Sequence, residues 1–211
     1  MKTPPTARGQ RTRAALVAAA RTVFERDGYL NARLTDITAE ARCSTGSFYT
    51  YFTNKEEIFA AVLEEAQEEM LHPHVREVVD DEDPIAVIEA SNRAYLTAYE
   101  RNAKLMRLLD QVATIDDDVR ELRRRRGLLF AERNARSIRD LQTRGLADPD
   151  LDPVLAARAL SAMVGRMANS VYVLGDHVDQ DVLVATLTRL WANALRLPVP
   201  AAPARRRRAA R

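Results

Sequence analysis

The stretch TDITAEARCSTGSFYTYFTNK, residues 35–55, is the most informative part of this sequence. It predicts two short helices, over residues 35–41 and 45–51, joined by a tight turn at residues 42–43. Ser44 is a suitable N-cap for the second helix, because its hydroxyl can accept a hydrogen bond from an unpaired amide two or three residues on. On each helix two apolar residues lie four positions apart and therefore share one face. The two helices are thus expected to pack through these faces.

The second helix leaves a face of hydroxyls and tyrosines, without any acidic residue, pointing outward. Such a face suits the major groove of DNA, because small residues let the backbone approach closely. Its hydroxyls can bind either phosphates or base edges. The outward residues are Thr45, Gly46, Ser47, Tyr49, Thr50 and Tyr51.

A longer set of residues, spread over about 11–65, resembles the DNA-binding domain of the tetracycline-repressor (TetR) family. This resemblance implies an all-α homodimer with a three-helix head that contains an N-terminal helix-turn-helix. A larger helical body for ligand binding and dimerisation follows, with about nine helices in total. The matching segments are Gly28-Tyr29, Leu34-Thr35-Asp36-Ile37, Ser44-Thr45-Gly46-Ser47-Phe48-Tyr49-Thr50-Tyr51-Phe52 and Asn54-Lys55-Glu56-Glu57-Ile58-Phe59.

Two residues depart from the family pattern. The turn carries Arg42 where the family usually has glycine, and a left-handed conformation costs a non-glycine residue on the order of 1 kcal/mol. Arg33 replaces the threonine that usually caps the first motif helix, so Asn31 or Thr35 is expected to take that role. These departures support an alternative in which the head no longer binds DNA.

A basic N-terminal segment and the start of the fourth helix extend the predicted DNA surface. Asn54 and Glu57 have the spacing of a capping box. The resemblance implies that Lys55 contacts the DNA backbone there, at the positive end of a helix. The basic arm can neutralise phosphates, although a solvated leader is the alternative. The predicted DNA-binding residues are Arg11, Arg13, Thr35, Ser44, Thr45, Gly46, Ser47, Tyr49, Thr50, Tyr51 and Lys55.

The composition is that of a soluble, largely helical protein. Of 211 residues, 46% are apolar and 29% charged, with only 7 glycines and 9 prolines. A single cysteine fits a reducing cytoplasm. No apolar run approaches the roughly 18 residues of a membrane span, and no signal peptide is visible. The formal net charge of +2 identifies no partner by itself.

We divide the chain into four regions. Residues 1–10 are predicted to be a disordered basic arm, and residues 11–54 the helix-turn-helix domain, whose first helix covers 11–27 and ends at Gly28. Residues 55–197 are predicted to form the ligand-binding and dimerisation domain. Residues 198–211 contain only Pro, Val, Ala and Arg, and we expect them to be a disordered tail.

Five helices are predicted in the body beyond the fourth helix, which Pro73 ends. Their ranges are 84–101, 103–112, 116–143, 153–174 and 180–195. The arginine run at 123–126 is interpreted as a solvated helix face paired with Glu121 and Glu132. The last two helices resemble the family's four-helix dimer interface. Intramolecular packing of their apolar stripes is the alternative.

No catalytic motif is present, so no enzyme activity and no cofactor are predicted. His72 and His74 lack a third ligand and do not indicate a metal site. By resemblance, a ligand pocket is expected between the middle helices of the body. Its candidate residues suit a largely apolar ligand, and they are Tyr95, Tyr99, Met106, Leu109, Phe130, Asn134, Met163, Met167 and Asn169.

The sequence therefore predicts a cytoplasmic, homodimeric transcriptional repressor. It would bind a palindromic operator in double-stranded DNA, without any membrane partner. A largely apolar small molecule would release it, to the extent that this effector prefers the state that does not bind DNA. Two alternatives stay open at this point. One is a helical dimer that binds small molecules but no longer binds DNA, and the other is an enzyme working in the helical body.

Overall fold

A computed structural model describes residues 6–71 and 83–198 of the chain. Within these residues the backbone forms nine α-helices and no β-strand, which confirms the all-α prediction. None of the described helices is both long and apolar enough to cross a lipid bilayer. The helices are α1 (Ala7–Asn31), α2 (Leu34–Glu40), α3 (Thr45–Tyr51), α4 (Lys55–Leu71), α5 (Pro84–Arg101), α6 (Ala103–Val112), α7 (Asp117–Thr143), α8 (Pro153–Tyr172) and α9 (Gln180–Ala194).

Helix α1 begins at Ala7 rather than at the predicted Arg11. Its N-cap is Thr6, whose hydroxyl accepts a 3.1 Å hydrogen bond from the amide of Gly9. Residues 7–10, predicted to be disordered, are therefore helical. The regular helix is interrupted at Gly28, as predicted, where φ is 78°. Glycine adopts this left-handed conformation without the strain that a side chain would bring.

The other predicted helices agree with the structure to within two residues at each described end. The bounds of α3, α5 and α6 are those predicted, whereas α8 ends at Tyr172 instead of Leu174. The predicted stop of α4 at Pro73, the histidines His72 and His74, and the tail from residue 199 onward lie outside the described residues.

Four helices of the body begin at an aspartate. Asp83, Asp116, Asp152 and Asp179 are the N-caps of α5, α7, α8 and α9. Each carboxylate accepts hydrogen bonds from amides two or three residues on, which would otherwise be unpaired in the first turn. At α7, for example, the amide of Val119 donates to Asp116 at 3.0 Å.

The first three helices, which we call the head, share one apolar core. Phe24 of α1, Ile37 of α2, and Phe48 and Phe52 around α3 are at most 1% exposed. The rings of Phe48 and Phe52 lie 5.7 Å apart. The predicted packing of the two motif helices through Ile37 and these phenylalanines is confirmed, with Ala41 partly buried at the edge.

The remaining helices, α4 to α9, form the body. Helix α1 packs against α4 and α6 as well as against α2. Helix α4 continues into contacts with α5 and α7, while α8 packs on α7 and α9 packs on α5. Buried residues from Leu16 to Leu197 belong to one continuous core. The head is therefore connected to the body through α4 and α6.

Candidate functional site

The face of α3 predicted to point outward is open to solvent at four of its six residues. Tyr49 is 57% exposed, with its ring edge-on to the buried Phe48 at 5.4 Å. Thr45, Gly46 and Thr50 are also exposed. Ser47 and Tyr51 are half-buried, and Tyr51 packs against the core. No acidic residue lies on this helix, so nothing on it would repel a phosphate backbone.

Hydroxyl groups hold the start of α3 in place. Ser44 caps the helix, because its Oγ accepts a 3.2 Å hydrogen bond from the amide of Ser47. The two serine Oγ atoms lie 3.0 Å apart. The hydroxyl of Thr50 donates to the carbonyl of Gly46 at 3.3 Å. The hydroxyls of Ser44, Ser47 and Thr50 are thus hydrogen-bonded within the head itself.

The turn before α3 is strained at an arginine. Arg42 has a φ of 51°, a left-handed conformation that favours glycine. The family usually has glycine at this position. Arg33 is the N-cap of α2 and makes no side-chain capping bond. Neither Asn31 nor Thr35 caps α2, because Asn31 donates to the carbonyl of Asp27 at 3.2 Å and Thr35 lies exposed inside α2. The turn and the start of α2 therefore form without the glycine and the threonine cap that the family usually has at these positions.

Lys55 lies against α1. Its ammonium donates to the main-chain carbonyls of Tyr29 at 2.9 Å, Ala32 at 3.3 Å and Leu30 at 3.5 Å. It also lies 4.6 Å from the centre of the Tyr29 ring. These carbonyls follow the break at Gly28, so Lys55 holds the end of α1 against the start of α4. The predicted contact of Lys55 with a phosphate stays a prediction.

The predicted capping box at the start of α4 has a modified form. Asn54 accepts a 2.8 Å bond from the amide of Glu57. Glu57 reaches back to Thr53, accepting from its amide at 2.7 Å and its hydroxyl at 2.8 Å. Donation by the Thr53 amide, more than by its hydroxyl, lowers the pKa of the Glu57 carboxyl.

Basic side chains surround the head. Arg11 is exposed on the first turns of α1, next to the exposed Arg8. Arg13 is half-buried, and its guanidinium lies 5.3 Å from the centre of the Phe52 ring. Arg33 and Arg42 are exposed on either side of α2. The head therefore presents scattered positive charge around the uncharged face of α3.

A cavity of about 600 Å³ lies within the body, between α4, α5, α6, α7 and α8. Six of the nine predicted ligand residues line it, namely Tyr95, Tyr99, Met106, Leu109, Phe130 and Asn169. Asn134, Met163 and Met167 are not among its lining residues. Asn134 instead donates to the hydroxyl of Ser161 at 2.9 Å, and Ser161 does line the cavity.

Aromatic rings form one wall of this cavity. The ring of Tyr95 lies 5.4 Å from that of Phe130 and 5.9 Å from that of Tyr99. Asn169 donates to the hydroxyl of Tyr99 at 3.4 Å and to Asp110 at 2.9 Å. Burial raises the pKa of Tyr95 and of Tyr99. Both phenols are therefore neutral hydrogen-bonding groups at neutral pH.

Five arginines also line the cavity, and none of them is among the ligand residues predicted from the sequence. Three carry negative partners or acceptors. Arg123 pairs with Asp110 at 2.9 Å. Arg124 pairs with Glu121 at 2.6 Å, and this bond, followed by that from Arg125, lowers the pKa of Glu121 to about 2. Arg126 lies 3.5 Å from Glu64 and donates to the Leu63 carbonyl at 3.2 Å.

The other two arginines, Arg158 and Arg166 of α8, are exposed and line the same cavity. Among the described residues, no carboxylate forms an ion pair with either of them. Their spacing with Ala162 between them, at i, i+4 and i+8, places all three on one face of α8. That spacing is the only signal in the sequence that could have identified them.

Exposed apolar side chains lie on the outer sides of α8 and of α9. Leu155 is 63% exposed, Val182 60% and Leu190 45%. The amide of Asp148 donates to the carbonyl of Leu195 at 2.9 Å, which holds the loop before α8 against the end of α9. Leu183, Leu187 and Trp191 of α9 are buried within the chain itself, so the intramolecular alternative, and not the favoured dimer contact, holds for these three residues of the stripe. We call the exposed side the α8–α9 surface.

Known proteins share both the head and the overall fold. The model of the bacterial regulatory proteins of the tetR family matches residues 16–62. An HTH-type transcriptional repressor of Streptomyces coelicolor is 37% identical over 98 residues, 46% of this chain and 47% of that protein. The matched region thus spans about half the length of this relative.

Solved structures extend the similarity to the body. GusR of Salmonella enterica has a TM-score of 0.74 at 23% identity, covering 92% of this chain and 98% of GusR. A transcriptional regulator from Rhodococcus sp. Rha1 has a TM-score of 0.70 at 21% identity, covering 89% and 99% of the two chains. At these identities the comparison establishes the fold that the chains share.

Proposed function

The chain belongs to the tetR family of bacterial regulatory proteins, and on that premise we propose that it is a dimeric transcriptional repressor whose binding to DNA is controlled by a small molecule. The observation that carries this proposal is the open, acid-free outer face of α3, held on a rigid apolar core. A short helix of this kind fits the major groove, where hydroxyls and a tyrosine can contact base edges and phosphates.

The proposed DNA contacts divide into two groups. Thr45, Gly46, Tyr49 and Thr50 are exposed on α3 and would face the base edges. Phosphates would be bound at the periphery, where charge positions the protein without specifying sequence. This second group, with the hydroxyls that flank the groove, comprises Arg11, Arg13, Thr35, Ser44, Ser47, Tyr51 and Lys55.

We further propose that two copies pair through the α8–α9 surface. Exposed side chains such as Leu155, Val182 and Leu190 gather on the outer sides of two helices that are buried on their inner sides. Exposed apolar side chains favour association when a second copy can cover them. Pairing by a twofold axis would present two α3 helices to successive major grooves, roughly 34–36 Å apart or a multiple of that distance.

The cavity in the body is the proposed effector site. Helix α4 contributes Gln67 and Met70 to its wall, and the same helix begins at Lys55, which holds α1. Helix α6 contributes Met106 and Leu109 and packs on α1. A ligand that prefers a different position of α4 or α6 would therefore change the spacing of the two heads. By linkage it weakens DNA binding only as far as it prefers that state.

DNA binding is tested by fluorescence anisotropy with labelled DNA from upstream of its own gene, titrated at several salt concentrations. We expect sequence-selective binding that weakens as salt rises. Tyr49→Ala and Thr50→Ala should each weaken it about tenfold, the size of one lost base contact.

Thr143→Ala is the matched control, because Thr143 is also exposed near a helix end. Its hydroxyl donates to the carbonyl four residues earlier, at 2.9 Å, as that of Thr50 does. Binding that is absent, or equally affected by the control, would contradict the assignment and favour a helical dimer that binds only small molecules.

A further inference from the structure

We propose that the effector is an organic anion, whose charged group is bound by Arg158 and Arg166 and whose apolar body lies against Tyr95, Tyr99 and Phe130. This inference rests on the proposed function in one respect, that the cavity is the effector site. It replaces the largely apolar ligand that the residue types on the middle helices predicted.

The cavity wall carries more positive than negative charge among the described residues. Asp110 is the only acidic residue among the described lining residues, and it is already paired with Arg123 and bonded by Asn169. Glu121 and Glu64 lie beside Arg124 and Arg126. Two positive charges on α8 remain without a negative partner in the described part of the chain.

Loss of water from the arginines makes a neutral ligand less favourable than an anion in this cavity. Both side chains are exposed to water in the free protein, and a neutral ligand that covered either guanidinium would remove its water without supplying an opposite charge, which is unfavourable. An anionic group would replace that water with charge-assisted hydrogen bonds, which are among the strongest in proteins. The wall should therefore bind an acid more tightly than a neutral molecule of the same shape.

The packing of α7 and α8 locates the proposed contact. Arg123 and Asn169 both bind Asp110, and Asn134 binds Ser161. Arg166 lies between Ser161 and Asn169 in sequence, and it lines the cavity together with the part of α7 between those two contacts.

That part of α7 contains Gly127, where an added Cβ would meet no atom within 4 Å. It also contains Phe130, whose ring contacts Tyr95. A charged group at Arg166 would thus lie beside an open stretch of wall and next to the aromatic rings. Arg158 lies two turns away, about 12 Å along the axis of α8. Because the open stretch of wall lies beside Arg166, we take Arg166 as the principal contact and Arg158 as the secondary one.

The test uses matched pairs of probes on the full chain without DNA, measured by isothermal titration calorimetry. One pair is 1-naphthoate and 1-naphthalenemethanol, and the other is decanoate and 1-decanol. A fifth probe, 1-naphthyl phosphate, distinguishes a carboxylate from a phosphate as the preferred anion. We expect at least one acid to bind at least about tenfold more tightly than its alcohol, the size of one charge-assisted bond.

Variants then assign the preference to these arginines. Arg166→Gln should remove most of the difference between acid and alcohol, and the double variant with Arg158→Gln should abolish it. Arg136→Gln is the control, because Arg136 is exposed on α7 and does not line the cavity. Light scattering of each variant should give the mass of the unsubstituted protein.

Three results would overturn the proposal. They are equal binding of acids and alcohols, a preference for acids that survives the double variant, and no binding of any acid at about 1 mM. Loss of the dimer in Arg166→Gln would instead assign this arginine to the subunit interface and would also count against it.

A separate anisotropy titration of DNA with the bound acid distinguishes this inference from the proposed function. If the acid binds through Arg166 without changing DNA affinity, the anion site stands and the regulatory proposal fails. If DNA binding is selective but no anion binds, the regulatory proposal stands and the anion site fails.

Discussion

The two candidate sites handle positive charge in opposite ways. Around α3 the arginines are scattered over a convex surface, and the helix itself carries no charge. In the cavity the arginines stand on a concave wall beside aromatic rings. The α3 surface can be specific only through contacts with the grooves of its DNA partner. The cavity instead selects its ligand through the cost of removing water from the polar groups of its wall. Salt should therefore weaken DNA binding much more than effector binding.

The two sites also differ in what lies beneath them. The face of α3 rests directly on the core of the head, with Phe48 one residue from Tyr49. The aromatic wall of the cavity borders empty volume, so its side chains lack packing on one side. Substitutions under α3 should therefore lower the unfolding free energy, whereas substitutions in the cavity wall should mainly change ligand binding.

The largest expected effect is that of Phe48→Ala. Phe48 is completely buried, and removal of its ring should cost the head about 3–5 kcal/mol of unfolding free energy. Phe130→Ala, at a half-buried ring that lines the cavity, should cost less than half as much. Urea denaturation followed by circular dichroism measures both. A loss at Phe130 as large as that at Phe48 would contradict the comparison.

Lys55→Met comes next, because it keeps the aliphatic stem and removes the ammonium. Three main-chain carbonyls would lose their donor, which should cost about 2 kcal/mol of unfolding free energy. Lys104→Met, at an exposed lysine of α6, is the control. If Lys55→Met weakens DNA binding without loss of stability, the ammonium binds a phosphate and the α1 carbonyls are secondary.

The sequence could predict the head because its signals are local. Ser44 as a cap and the spacing of Phe48 and Phe52 lie within one short segment, and together they set both the helix and its open face. The direction of Lys55 could not be predicted, because it depends on carbonyls that the break at Gly28 turns toward it. That arrangement joins residues more than twenty positions apart.

The sequence predicted where the cavity lies, but it did not predict the arginines that line it. A run of arginines on a helix usually faces water, and Arg125 does pair with Glu121 at the surface. Whether Arg166 faces water or a cavity depends on how α8 packs on α7, which no local pattern encodes. For the same reason Met163 and Met167 have a suitable spacing but lie away from the cavity.

Glu57→Gln tests the head by pH. The Glu57 carboxylate accepts two bonds from Thr53, so its loss should cost roughly 1 kcal/mol at neutral pH. Because these bonds lower the pKa of Glu57 in the folded state, their contribution is present above the ordinary value of 4.5. It is lost as the pH falls through the lower folded value.

The unfolding free energies of the original protein and of Glu57→Gln should therefore converge in acid. Glu132→Gln, at an exposed residue of α7, controls for the loss of one negative charge. If the difference in unfolding free energy between the two proteins stays constant down to strongly acidic pH, the charge of the Glu57 carboxylate does not contribute to stability.

The smallest expected effect compares two arginines in left-handed conformations, Arg42 with a φ of 51° and Arg196 with a φ of 54°. Arg42→Gly should stabilise the head by roughly 0.5–1 kcal/mol, since glycine avoids the strain but loses more entropy on folding. Arg196→Gly also removes the 3.2 Å ion pair with Asp148. That arginine side chain is 76% exposed, so the pair contributes little, and the gain should be only slightly smaller.

Urea denaturation of Arg42→Gly and Arg196→Gly measures the two gains in unfolding free energy. The salt dependence of DNA binding then tests whether Arg42 contacts a phosphate. If Arg42 contacts a phosphate, Arg42→Gly should lower the slope of log affinity against log salt by about 1 while the head becomes more stable. An unchanged slope would mean that the strained arginine serves neither DNA nor folding. A lower slope would explain why the turn keeps an arginine at a position that favours glycine, because the charge then stabilises the complex with DNA and the strain is borne by the free protein.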